Sequence, residues 1–344
     1  MTGGTNMRFT IILTAILALA PAASGHHSDA GLDTDTVVTF EGTVGEVSWR
    51  NPHVYFTVVT ANERGEPVEW TLQMGSTITS ARRGWTADTL VSGDRVTVHA
   101  HPAHDGRPYG LMDSVEKEGG LQLSAAPAPA ADVSARATSL EGIWRADTSR
   151  LISYPGGFDG FFLANLELTE LGEDAMQGYD PLSPENPEAQ CIGRPTPAMI
   201  VSTGLYPIHI QFNEDLQTIS LRTEFWDEHR TVYMDGREHP DSSVRFADGH
   251  SIGWWEGETL VVDTRNFSDH RSPYQIGVPS GAQKHVVERY TLIEDGARVL
   301  AEFTLEDPEY MAEPLTHTRE LIYSPHMALS PFDCDPEQTR RFLR

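Results

Sequence analysis

Lysine is almost absent from this chain. Lys117 and Lys284 are the only two in 344 residues, and the remaining basic residues are arginines. Lysine and arginine together number 25 against 50 aspartates and glutamates, a formal net charge of -25. So large an excess of negative charge argues against nucleic acid or an anionic membrane surface as a partner, because both are polyanions. Cysteine is equally scarce, with only Cys191 and Cys334. Two cysteines far apart, neither near a histidine, fit one disulfide tying the C-terminal tail to the second domain better than a reactive thiol. Beyond the first twenty residues no apolar run approaches the length that crosses a bilayer, so no integral membrane segment is expected in the mature chain. No Gly-rich phosphate loop, HExxH, CxxC or EF-hand pattern occurs. Their absence sets aside nucleotide hydrolysis, zincin proteolysis, thioredoxin-like redox chemistry and EF-hand calcium binding.

The beginning of the chain reads as an export signal over residues 1–25. Arg8 supplies a positive start, Phe9 to Ala20 an apolar stretch too short to span, and Ala23-Ser24-Gly25 a small-residue cleavage site. A cut after Ala23 is the alternative. The mature protein is therefore expected in the periplasm or outside the cell.

The Ala/Pro/Ser-rich run at 124–139 divides the rest into two units, 26–123 and 140–344. In the first, alternating segments from Val37, His53, Val68, Arg95 and Tyr109 read as strands. "STITSARRG", from Ser76 to Gly84, carries the punctuation of a short helix. The order β-β-β-α-β-β is that of an OB-like five-stranded barrel. The second unit is also mainly β. Strands are expected at Tyr206–Phe212, Gln217–Glu224, Arg230–Met234, Thr259–Asp263, His285–Leu292, Val299–Glu306 and Leu315–Tyr323. Such closely spaced strands predict a larger antiparallel, lipocalin-like barrel with a pocket. The acidic, proline-containing stretch from Glu173 to Pro187 reads as a surface excursion.

The first unit resembles a family of small secreted bacterial domains of unknown function. The residues that carry the resemblance are His26-His27-Ser28, Trp49-Arg50-Asn51-Pro52-His53, Arg82-Arg83-Gly84-Trp85 and Gly93-Asp94 followed by Val96. It implies an export signal and a small barrel, and no activity. The second unit resembles another group of uncharacterised secreted bacterial proteins through "YMDGREHP", "GHSIGWWEGETLVVDT", "HVVERY" and "EDP". Gly142-Ile143-Trp144 is similar to the G-x-W run that opens lipocalin barrels.

Candidate chemistry falls in several places. A mature terminus at His26 would offer an amine and an imidazole to Cu(II), with His53 as a further ligand; a terminus that leaves His27 third would form a square-planar chelate. Otherwise the pair is a solvated leader. His99 and His101 share one face of a strand, with His104 in the turn beyond, and serve as metal ligands or as an exposed strand end. On the strand from Leu315, His317 and Arg319 point where the apolar residues point, and Glu288 does so on its own strand. If those faces line a barrel, the three converge inside as a substrate-binding set or as a structural ion-pair network. Loop residues add Asp235, His239, Asp248, His250, Ser251, Glu256, Asp263, Asp269 and His270. Among them His250 is the candidate general base, with Asp263 or Asp235 to orient it. Trp254 and Trp255 face opposite ways on a strand, so one is expected in the core and Trp255 is a candidate to stack on a ligand.

These residues point to a cofactor-independent enzyme acting on a small organic substrate by His/Asp/Glu acid-base chemistry, as a lyase, isomerase or hydrolase. The alternatives are a binder of a small hydrophobic ligand and a copper-handling protein built on His26. Oligomeric state is not legible.

Overall fold

The computed structural model describes residues 31–124 and 134–343. The expected export signal and cleavage site, with His26 and His27, lie outside the described residues, as do residues 125–133 of the Ala/Pro-rich run.

The first barrel is built from β1 (Val38–Ser48), β2 (Tyr55–Ala61), β3 (Pro67–Gln73), β4 (Arg95–Pro102) and β5 (Tyr109–Lys117). A short helix, α1 (Thr77–Ala81), separates β3 from β4, and β6 (Leu121–Ser124) adds to the far end of β5. Ser76 caps α1, its hydroxyl accepting the Thr79 N–H at 3.1 Å. The ring runs β1-β2-β3-β5-β4 and closes from β4 back to β1. Five is an odd number, so one neighbouring pair must be parallel. That pair is β3 and β5. The long first strand changes register between Val44 and Val47, around Gly45, which lets it turn the corner from one half of the barrel to the other. Inward residues such as Val44, Phe56, Val58, Leu72, Val98 and Val115 fill the centre.

The same parity rule shapes the second barrel. Its chain order is β7 (Gly142–Ala146), α2 (Gly157–Asn165), α3 (Glu170–Gln177), α4 (Ala198–Val201), β8 (Ile208–Asn213), β9 (Thr218–Thr223), β10 (His229–Tyr233) and β11 (His250–Glu256). It continues with β12 (Thr259–Arg265), β13 (His285–Ile293), β14 (Arg298–Glu306) and β15 (Leu315–Tyr323). These nine strands close into a barrel in simple chain order, β15 pairing with β7. Eight of the pairings are antiparallel, and β10 with β11 is parallel. The expectation of a wholly antiparallel barrel is corrected at this one seam. Because β11 restarts in the direction of β10, the intervening residues 234–249 must travel back along the outer wall. Asn266 pins that crossing, its amide donating to the carbonyls of Pro240, Asp241 and Val244 at 3.0–3.2 Å.

Side chains fill the interior of the second barrel. Trp144, Ile208, Leu221, Leu260, Phe303 and Leu321 are all fully buried there, and Phe161 and Phe162 of α2 join the same core. The Trp144 indole donates to the Leu140 carbonyl at 2.7 Å and packs on Tyr323. Gly142 has φ +135°, and a Cβ there would stand 2.7 Å from the Tyr323 ring, so the G of G-x-W is fixed by sterics as well as by backbone conformation. The stretch from Glu173 to Pro187 is less superficial than its composition predicts. Leu182, Asn186 and Pro187 are buried, and Leu182 packs with Leu32, Tyr55 and Tyr109 of the first domain and with Phe342.

The C-terminal segment straps the two barrels together. Cys334 is disulfide-bonded to Cys191. The neighbouring Phe332 carbonyl accepts the Asn51 side-chain amide, while Asn51 Oδ1 accepts the Thr77 N–H at 2.8 Å. Further along, Arg107 of the first barrel donates to the carbonyls of Phe342 and Leu343, and Arg341 pairs with Glu46. Asn51, central to the Trp-x-Asn-Pro-His motif, is therefore a structural joint between the domains.

Candidate functional site

The joint between the barrels is not closed along its whole length. It leaves an open cleft of about 600 Å³. The first barrel contributes Pro52 and His53 ahead of β2, Gln73 at the end of β3, Thr79 of α1 with Arg82 and Arg83 just beyond it, and Leu111 of β5. The second contributes Arg145 from β7, the segment from Thr148 to Phe158, the turn around Leu205 and Tyr206, and Arg319 from β15. Phe332 of the strap completes the wall. Much of this wall is apolar or aromatic, as in Leu151, Tyr154, Phe158, Tyr206 and Phe225. Tyr206 also crosses the joint, its hydroxyl donating to Ser76 at 2.9 Å. His53 faces the cleft with Nδ1 3.0 Å from the Met74 carbonyl, so that nitrogen carries the proton.

A second constellation lies on the outer wall of the large barrel, where the 234–249 crossing covers β11 and β12. Ser251, Thr264 and Glu288 point inward, so by alternation His250, Asp263 and His285 point outward. The crossing lays His239 between them. His239 Nδ1 is 3.0 Å from His250 Nδ1, and His239 Nε2 is 2.8 Å from Asp263 Oδ1. His285 Nε2 approaches the other Asp263 oxygen at 2.7 Å, and its Nδ1 lies 3.2 Å from Glu306. These contacts assign the neutral tautomers. Asp263 only accepts, so His239 donates from Nε2 and accepts at Nδ1; His250 must then donate from Nδ1, leaving its Nε2 as the free base. Burial, then the neighbouring His239 and Arg237, lowers the pKa of His250, which keeps it neutral near pH 7. Gly249 makes the approach feasible: its φ is +75°, and a Cβ would stand 2.6 Å from Thr264.

The hydrogen bond that His285 donates to Asp263 raises the His285 pKa, against the opposing effect of burial. Burial pushes the Asp263 pKa up, but the hydrogen bonds it accepts from His285, Arg265 and His239 hold it far below the usual carboxylate range. The signs fix a pH window. The His285 contribution is fully present below its unfolded pKa of about 6.5 and is lost as pH rises through the higher folded value. That of Asp263 is present above about 3.9 and is lost as pH falls toward the depressed folded value. His285→Gln is therefore expected to cost about 1–2 kcal/mol between pH 5 and 6 and clearly less at pH 8.5, as for a charge-assisted hydrogen bond. Urea unfolding of both proteins across that range checks this, and an equal cost at both pH values would contradict it.

The other candidates are dispersed. Asp235 pairs with Arg237 at 2.6 Å, and of the two aspartates it is Asp263 that connects to His250, through His239. Glu288 does not join His317 and Arg319. It is completely buried and takes a bidentate ion pair from Arg230, at 2.6 and 2.8 Å, with hydroxyl donors from Thr196 and Tyr290. Arg230 also donates to Thr264 at 3.0 Å. His317 packs against Phe161 and Phe303, where burial lowers its pKa to about 4. Arg319 faces the cleft. The expectation that one of Trp254 and Trp255 is core is corrected, since they are 41% and 47% exposed. The end of β11 runs past the barrel core, and Trp255 rests its edge on Phe212 while Trp254 bonds Glu256. His99 and His101 bond Thr39 and the Thr36 carbonyl respectively. Among the described residues no group of three or more His, Cys, Asp or Glu side chains is arranged to hold a metal ion. None of the helices among them is long and apolar enough to cross a membrane.

Comparison with known families reaches the first barrel. Residues 15–113 match a family of unknown function, DUF6152. The matched segment takes in Asn51 and the His53, Arg82 and Arg83 side of the cleft. No curated protein shows significant similarity to the chain.

Among the residues that build the cleft, Arg145, Arg194 and Tyr154 were invisible to motif reasoning. They come from separate elements, and no local spacing links them. The sequence signals that did reach the cleft were His53, the Arg82-Arg83 pair and Arg319.

Proposed function

We propose that this is an exported small-molecule-binding protein whose site is the cleft between its two barrels. One observation carries the reading: the large cavity lies where the domains meet, while the interior of the second barrel is occupied by its own side chains. Ligand sites favour such domain junctions, with mostly apolar walls and a few polar groups. The export signal and the disulfide support a destination outside the cytoplasm.

The neutral dye N-phenyl-1-naphthylamine provides a direct test. Its fluorescence is expected to rise on binding the wild-type protein. Thr148→Trp, at an exposed position on the cleft wall, is expected to weaken binding by roughly tenfold, about 1.4 kcal/mol. A dye that binds both proteins equally would place the site elsewhere.

A second reading, acid-base catalysis at His250, is favoured by the His250–His239–Asp263 chain, which orients an imidazole and leaves one nitrogen basic. It would act on a small organic substrate as a hydrolase, lyase or isomerase. A panel of small esters, lactones and hydroxy acids screened against wild type and His250→Gln tests it. A turnover that falls by roughly a hundredfold or more in the variant supports the reading; turnover unchanged in the variant, or none by the wild type, removes it.

A further inference from the structure

The cleft is strongly basic, in a chain with a net charge of -25. Five arginines line it, Arg82, Arg83, Arg145, Arg194 and Arg319, against a single carboxylate, Glu188. Two of the five are already engaged. Arg82 pairs with Glu224 at 2.6 Å and donates to the Leu205 carbonyl, and Arg194 pairs with Glu188. Arg83, Arg145 and Arg319 have no carboxylate within ion-pair distance among the described residues. Arg145 and Arg319 each bury an Nε–H that meets no acceptor there. Arg319 is only 8% exposed and lies beside the Phe161 ring. Burial lowers the pKa of all three, Arg319 to about 10, so each still carries its charge at neutral pH.

Desolvated guanidinium groups without counter-charge are costly, and a protein with surplus carboxylates had ample means to neutralise them. What such groups fit is an anion brought from outside, because planar guanidinium donors match carboxylate, sulfonate and phosphate oxygens. The rest of the wall is aromatic and aliphatic. Resting on the cleft reading above, we infer that the ligand is an anionic amphiphile: a small molecule with an apolar or aromatic body on Leu151, Tyr154 and Phe158, and one acidic group held by Arg319.

A matched pair of dyes tests the anion apart from the cleft. 1-Anilinonaphthalene-8-sulfonate is N-phenyl-1-naphthylamine with a sulfonate added. The sulfonate is expected to bind the full protein about tenfold or more tighter than the neutral dye, as charge-assisted hydrogen bonds would give. Arg319→Met is expected to remove roughly tenfold of the sulfonate's affinity while changing the neutral dye by less than about twofold. Arg319→Lys, which keeps the charge and loses the planar fork, should fall between and serves if the methionine variant does not fold. Equal affinity for the two dyes, or arginine variants that weaken both alike, overturns the anion assignment and leaves the cleft reading standing. If neither dye binds the wild type, the cleft reading fails and the anion with it.

Discussion

Replacing Arg230 by methionine is expected to cost roughly 3–5 kcal/mol of stability, as breaking a buried ion pair does. Glu288→Leu should cost about as much. The two side chains are 3% and 0% exposed, and the ion pair lies inside a barrel of hydrophobic residues. Removing either partner strands the other charge where water cannot reach it. Burial works against the Arg230 cation, but Glu288 more than offsets it and raises the pKa of the guanidinium further. The double variant Arg230→Met/Glu288→Leu should recover most of the loss, because no orphan charge remains and Ser251 and Thr264 still bond each other at 2.9 Å. Urea unfolding of the four proteins as a double-mutant cycle measures this. Losses that simply add would show that the pair acts as two independent polar residues.

Removing the disulfide should have an effect of similar size. Cys191 and Cys334 are 143 residues apart, and by the chain-entropy model a loop of that length contributes up to about 5 kcal/mol. Cys191→Ser/Cys334→Ser is expected to lower the melting temperature by roughly 10 °C, at a few degrees per kcal/mol for a protein of this size. Reductant should lower wild type toward the variant and leave the variant unmoved. A variant that melts with the wild type would mean that the hydrogen bonds of Asn51, Arg107 and Arg341 hold the strap unaided.

The strands were legible wherever one face is buried and the other wet. β15 is Leu315–Tyr323 by alternation alone, and β13 and β14 differ from expectation by one residue at one end. The disulfide followed from the cysteine count. β11 was not legible, because His250-Ser251-Ile252-Gly253 sits among glycines and begins directly after Asp248-Gly249, which reads as a turn. Its strand character comes from the barrel, where it pairs with β12 on one side and forms the parallel seam with β10 on the other. The same long-range geometry placed His239 against His250 and Asp263. No local pattern could relate them, since the crossing loop sets the distance. Glu288 was assigned to the correct face but with the wrong partner. Arg230, on a five-residue strand, looks like any exposed arginine until the ring closes around it.

The strap has a consequence for the order of events during synthesis. Residues 332–343 follow both barrels in the chain, and each barrel closes through strands that precede them. Chains emerge from their N-terminus, so both barrels can be complete while Phe332, Cys334 and Arg341 have yet to appear. Until then Asn51 has no Phe332 carbonyl to receive its proton, and one wall of the cleft is missing. Two closed barrels therefore do not by themselves complete the cleft, whose last wall comes from the segment that follows both.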